Sequence, residues 1–130
     1  MCLGIVDGPD KVGKTTALLN AVQDKTYQVY VHSSNWPGTY RNWTERLDAI
    51  VNLGLDTAMD RFFLSEIVYS EFRGDEPLMD LADANALLYV YRRELRAEVW
   101  LPKGVESPLN EIYERRAELL RIPVRYVHPI

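Results

Sequence analysis

Cysteine is nearly absent: Cys2 is the sole thiol. One thiol closes no intramolecular disulfide, so a packed core must supply the stability and a reducing cytoplasm is the expected location. An excess of positive charge is also missing. Fifteen Lys and Arg stand against 19 Asp and Glu, a formal net charge of −4, with no block of basic residues. A duplex-DNA binder needs a basic footprint, so a nucleic-acid partner is not expected. No apolar run approaches the roughly 20 residues that span a bilayer, and Met1–Asp7 is too short and too poor in basic residues for a signal peptide. The two histidines, His32 and His128, are far apart, and no His/Cys/carboxylate spacing suggests zinc. Repeats, low-complexity tracts and linker-like stretches are lacking too.

What remains is an ordinary globular composition, 47% hydrophobic and 26% charged over 130 residues, which fits one domain spanning residues 1–130 with one core. Strand and helix patterns alternate along it. Leu3–Asp7 reads as a buried strand, Lys14–Gln23 as a helix, Tyr27–His32 as a strand and Ser33–Gly38 as a loop. Thr39–Leu53 has Trp43, Leu47, Ile50 and Val51 at helical spacing, with Gly54 as a stop. Leu55–Asp60 is a weaker strand, Phe63–Phe72 a helix, and Leu78–Arg96 a long helix with Leu81, Ala84, Leu88 and Tyr91 on one face. Ala97–Leu101 is a strand ended by Pro102-Lys103-Gly104. Pro108–Arg121 is a helix with Ser107 as N-cap, and Val124–Val127 is a last strand. This alternation predicts an α/β fold: a doubly wound sheet of about five parallel strands flanked by helices on both faces, with its crevice at the strand carboxyl ends.

Gly8-Pro9-Asp10-Lys11-Val12-Gly13-Lys14-Thr15 matches the phosphate-loop pattern G-x-x-x-x-G-K-[ST], between a predicted strand and a predicted helix. Each position has a physical use. The glycines let backbone N–H groups turn inward toward phosphate oxygens, and the helix N-terminus adds its dipole. Gly8, Val12, Gly13, Lys14, Thr15 and Thr16 are thus candidates for gripping a nucleotide. Lys14 supplies charge between the β- and γ-phosphates, and Thr15 offers a hydroxyl to Mg²⁺. Asp10 is odd inside such a loop, because a carboxylate repels the bound anion; it is either a turn former or aimed at another ligand.

Several further marks follow in order. Thr16 follows the loop; Trp36-Pro37-Gly38-Thr39 follows the second strand; Asp60-Arg61 ends the third; Ser65 and Tyr69 lie five and nine residues beyond that aspartate. Together with Asp10 and the adjacent Lys11, these marks resemble the thymidylate kinase family of P-loop nucleoside monophosphate kinases, in a short and phage-type form. The resemblance covers Gly8 to about Tyr69 by motif; beyond that, only the order of elements agrees. It implies the P-loop NTPase-type sheet, ATP and Mg²⁺ as cofactors, and a small nucleotide as partner. It also implies Asp10 on the sugar 3′-hydroxyl and Arg61 on the acceptor phosphate. Asp60 with Thr15 would place Mg²⁺. Lys11 sits where one branch of the family has an arginine reaching the γ-phosphate. Trp36, Pro37, Arg41, Ser65 and Tyr69 would line the acceptor.

The residues themselves leave alternatives open. Asp60-Arg61 can be a surface ion pair, and Tyr69 can pack with Phe62 and Phe72. Trp36, Tyr40 and Trp43 suit either base stacking or a core. Arg41, Arg46, Arg73, Arg92, Arg93 and Arg96 include one or two phosphate or base contacts at most. Cys2 and the histidines read as structural.

The chain departs from the family in two places. Full-length members carry an arginine-bearing lid between the fourth strand and the last helix, whereas residues 102–108 leave room only for a shortened one. Losing such an arginine can cost on the order of 10³–10⁵ in rate. Lys11, helped by Lys103, is the visible substitute, as a point charge without an arginine's fork. Asn35-Trp36 also replaces the family's Arg-Glu before Pro37-Gly38. A homodimer, one subunit covering the other's site, is a reasonable expectation for a chain without a lid.

Three functions fit. The first is phosphorylation of a deoxynucleoside monophosphate, dTMP favoured, with Lys11, Lys14, Asp60 and Arg61 as the catalytic group. The second is a non-catalytic nucleotide binder. The third is a deoxynucleoside kinase using Asp7 or Asp60 as base. The cytoplasm is the expected site in each case, that of the host if the gene is a phage's.

Overall fold

The computed structural model describes residues 1–8, 16, 19–20, 23, 27–31 and 38–127. Five strands form one sheet: β1 (Cys2–Val6), β2 (Val29–Val31), β3 (Thr57–Met59), β4 (Arg96–Pro102) and β5 (Val124–Val127). Their order is β2-β3-β1-β4-β5, and every pairing is parallel. The described helices long enough to bound are α1 (Tyr40–Leu53), α2 (Phe63–Arg73), α3 (Leu81–Val90) and α4 (Pro108–Leu119). This is the predicted α/β architecture. Sequence neighbours β1 and β2 are separated by β3, so the order reverses beside β1, where doubly wound sheets place their ligands.

The strand alternation sorts the core into two layers. Leu3 and Ile5 of β1, Met59 of β3 and Val99 and Leu101 of β4 share one cluster with Trp43, Leu47, Ile50, Phe63, Leu87 and Tyr113 from α1–α4. Val6, Ala58 and Trp100 point the other way and pack with Tyr27. The four described helices therefore cover the first face. The predicted helix Lys14–Gln23 falls largely outside the described residues, and positions 16, 19, 20 and 23 within it are helical.

Helix ends follow local chemistry. The Thr39 hydroxyl accepts from the Asn42 N–H at the start of α1, and Gly54 closes it with φ 67°. Ser107 caps α4 with Pro108 in its first turn, as predicted. The fourth predicted helix needs correction. Leu78–Arg96 shrinks to Leu81–Val90, with the Asp80 carboxylate accepting from the Asp83 N–H at its start. Its apolar period runs on through Tyr91, but a turn follows, and the Arg96 N–H donates to the Met1 carbonyl at 2.9 Å. Arg96 pairs with Cys2 in the β1–β4 ladder, so strand pairing captures residues that the helical pattern claimed.

Candidate functional site

Asp7, directly after β1, is wholly buried, and its Oδ1 collects three donors. The Gly8 N–H donates at 2.9 Å, Arg61 Nη1 at 2.9 Å and the Tyr113 hydroxyl at 2.6 Å. Arg61 Nη1 also donates to Ser65 Oγ at 2.9 Å, and Ser65 and Tyr113 oxygens lie 3.3 Å apart. Tyr113 has one proton and directs it at Asp7, so the Ser65 hydroxyl donates to Tyr113. The result is a closed circuit, Arg61 to Ser65 to Tyr113 to Asp7 and back to Arg61, in which each hydrogen bond polarises the next.

The circuit acts on Gly8, the first glycine of the G-x-x-x-x-G-K-[ST] pattern. Besides its N–H bond to Asp7, the Gly8 carbonyl accepts from the Tyr69 hydroxyl at 3.1 Å, with Arg61 Nη1 at 3.4 Å. Its φ of 109° suits glycine alone, and a Cβ there would stand 2.9 Å from Pro102 Cδ at the end of β4. The Arg61 guanidinium lies over the Tyr69 ring, 5.2 Å from its centroid. Thus α2 supplies Ser65 and Tyr69 from one helical face, α4 supplies Tyr113, and all of them meet at the carboxyl end of β1.

Two proton affinities record this electrostatics. Burial opposes the charge on Arg61, but Asp7, followed by Tyr113 and Tyr69, outweighs it and holds the guanidinium above its ordinary value. Burial, then the charge of Asp7, pushes the Tyr113 hydroxyl well above the usual phenol range. Arg61 is therefore a permanent cation and Tyr113 a permanent donor at neutral pH.

Asp60 is buried at the carboxyl end of β3, and its field, after burial itself, raises the hydroxyl of Tyr30 on β2. Gly38 approaches α2 beside Ser65: a Cβ on Gly38 would lie 3.5 Å from Glu66 Cγ. Lys103, exposed just after β4, donates its backbone N–H to the Val127 carbonyl at 2.7 Å, so it too sits at the strand carboxyl ends. The link from β4 to α4 is only residues 103–107. Among the described residues no cluster of three His, Cys, Asp or Glu could hold a metal, and none of their helices is long and apolar enough to cross a membrane.

The predicted site residues divide three ways. Gly8, Asp60, Arg61, Ser65 and Tyr69 lie at the ends of β1 and β3 or on the α2 face that meets them. Asp10, Lys11, Val12, Gly13, Lys14, Thr15, Trp36 and Pro37 lie outside the described residues, as does His32; Thr16 is described and helical. The remaining candidates sit elsewhere. Arg41 has a side chain 89% exposed and pairs with Glu45. Trp43 is core, edge-on to Phe62 and Phe63 at 5.3 and 5.7 Å. Arg73 pairs with Asp75. Arg92, Arg93 and Arg96 gather near the amino end of β4, opposite Gly8. Tyr69 does not join Phe72, which is exposed; its hydroxyl faces Gly8.

Sequence reasoning missed Tyr113. It occupies the middle of Leu109, Tyr113 and Ala117, a helical spacing that reads as plain core. Asp7 appeared there only as a candidate base. In the structure it is buried, and its Oδ1 accepts from three donors, Gly8 among them.

Fold and site define an α/β protein with a braced glycine turn at the carboxyl end of its central strand. Among solved structures, YorR from Bacillus subtilis, crystallised in complex with phosphorylated GDP, superposes with a TM-score of 0.60. That match covers 98% of this chain and 85% of YorR at 15% identity, and it shows a shared fold. No family model matches the chain, and no curated protein sequence does.

Proposed function

We propose that this protein binds a nucleoside triphosphate at Gly8–Thr16 and transfers its terminal phosphoryl group to a deoxynucleoside monophosphate, dTMP favoured. The observation that carries the reading is the brace between the two motifs. Arg61 of Asp60-Arg61 reaches the first residue of the phosphate loop through Asp7 and Gly8. The nucleotide bound by YorR, which shares the fold, supports it as well. In this reading Gly8 turns the chain into the loop, and Lys14 with the N–H groups of Val12, Gly13, Thr15 and Thr16 holds the donor phosphates. Lys11, seconded by Lys103, neutralises the moving group. Arg61 meets the acceptor phosphate, Asp10 its sugar, and Trp36, Pro37, Ser65 and Tyr69 the rest of the acceptor.

The donor set suits Mg²⁺. Asp60 is a buried carboxylate at the sheet's carboxyl edge, and Mg²⁺ binds through one or two hard oxygens plus substrate phosphates, not in an all-protein cage. Thr15 and Asp60 would hold it, and when bound it neutralises charge on the β- and γ-phosphates. The acceptor is already an anion, so no general base is required.

The test is ADP release from ATP across all deoxynucleoside monophosphates. Turnover with dTMP that disappears in Lys14→Ala is the expected result; no turnover with any acceptor defeats the proposal. The short 103–107 link favours a second reading, binding without transfer. Calorimetry would then show tight nucleotide binding without product, and Lys11→Ala would leave affinity nearly unchanged.

A further inference from the structure

At the other end of the sheet, a cavity of about 590 Å³ opens between α3, the start of β4 and the turn after α4. Leu95, Leu120 and Ile122, all buried, line it, together with Tyr89, Arg92 and Arg121. Tyr89 is 65% exposed. The Arg92 guanidinium lies over its ring at 3.9 Å from the centroid and donates to the Tyr89 carbonyl at 2.8 Å, so cation and ring are held as one plate.

Arg121 is unusual in its backbone. Its φ is 58°, and no other non-glycine residue among those described has a positive φ. It occupies the turn that closes α4, where the Arg121 N–H donates to the Glu118 carbonyl and the Ile122 N–H to that of Ala117. Glycine is favoured there, so an arginine is kept at a conformational cost. Arg61, Arg73, Arg115, Arg116 and Arg125 each face a carboxylate. Among the described residues neither Arg92 nor Arg121 has such a partner, although the chain is acidic.

We infer that this cavity is a second binding site, for a small organic anion: a flat ring bearing a phosphate or carboxylate. Arg92 and Arg121 offer planar forks to the anion, the Tyr89–Arg92 plate offers a stacking surface, and the leucine floor takes the ring edge. The volume lies within the roughly 300–1,000 Å³ of small-molecule sites. The inference stands apart from the nucleotide reading, because this cavity is at the amino ends of β4 and β5, whereas Gly8 is at the carboxyl end of β1.

The test is titration with phenyl phosphate and with benzoate to millimolar concentration, followed by amide NMR, with inorganic phosphate and phenol as single-feature controls. Saturable shifts are expected across residues 85–97 and 119–122, and the tighter probe identifies the anion. Arg121→Gly removes one fork while relieving the backbone, so affinity is expected to fall roughly tenfold as the thermal midpoint rises. Arg92→Ala should weaken binding independently. The proposal is overturned if neither probe moves these amides, if Arg121→Gly binds as the parent does, or if inorganic phosphate or phenol alone binds as tightly as the combined probes.

Discussion

Asp7 has no solvent exposure and faces a guanidinium that is itself mostly covered. Such a pair adds little net stability over an apolar pair, but breaking it leaves an uncompensated charge, which costs about 3–5 kcal/mol. Asp7→Asn keeps the shape and removes the charge, so its unfolding free energy, measured by urea denaturation, should drop by that amount. A change under ~1 kcal/mol would mean that Arg61 finds other support. Tyr113 carries the pH consequence. In the unfolded chain its phenol ionises near pH 10, whereas the folded protein retains the proton. The unfolded state then binds fewer protons, so this contribution is intact below pH ~10 and is lost as pH rises above it. Tyr91 and Tyr126, each pushed up to about 12 by burial first, act with the same sign. Tyr113→Phe should lower stability at pH 7 by about 1–2 kcal/mol and flatten the alkaline decline by up to about 1.4 kcal/mol per pH unit. Identical alkaline slopes in the two proteins would show that Tyr113 does not carry the linkage.

Packing between strands and their neighbours explains a glycine that the loop motif does not. A Cβ on Gly4 would lie 2.6 Å from Tyr27 Cζ and 3.0 Å from Trp100 Cζ2, two rings packed edge to face at 5.2 Å. Gly4→Ala should therefore destabilise by about 1–3 kcal/mol through overpacking, measurable by urea unfolding. A neutral result would mean that the Tyr27 ring shifts freely. At this level the chain was readable wherever the signal was local. Thr39 and Gly54 bracket α1, and Ser107 with Pro108 starts α4, because caps act within one turn. The α3 boundary was not readable: the apolar period continues through Tyr91, and only the pairing of Arg96 with Cys2 ends it.

Folding and ligand binding are linked in a cooperative domain. A nucleotide that binds only the folded chain should stabilise it by RT ln(1 + [L]/Kd), about 2.7 kcal/mol at one hundred times Kd. Mg-ATP is expected to raise the thermal midpoint of the parent and not of Lys14→Ala; equal shifts in both would sink the phosphate-loop assignment. The α/β alternation and the place of Asp60-Arg61 at the end of β3 were legible in the sequence, because each rests on a pattern of neighbouring residues. The Asp7–Arg61–Ser65–Tyr113 circuit was not. Its members are separated by up to 106 positions, and they meet only because parallel strands bring the ends of β1 and β3 side by side and α4 lies across α2. Local periodicity specifies which face of an element is apolar; which hydroxyl faces which carboxylate is settled only when those faces pack.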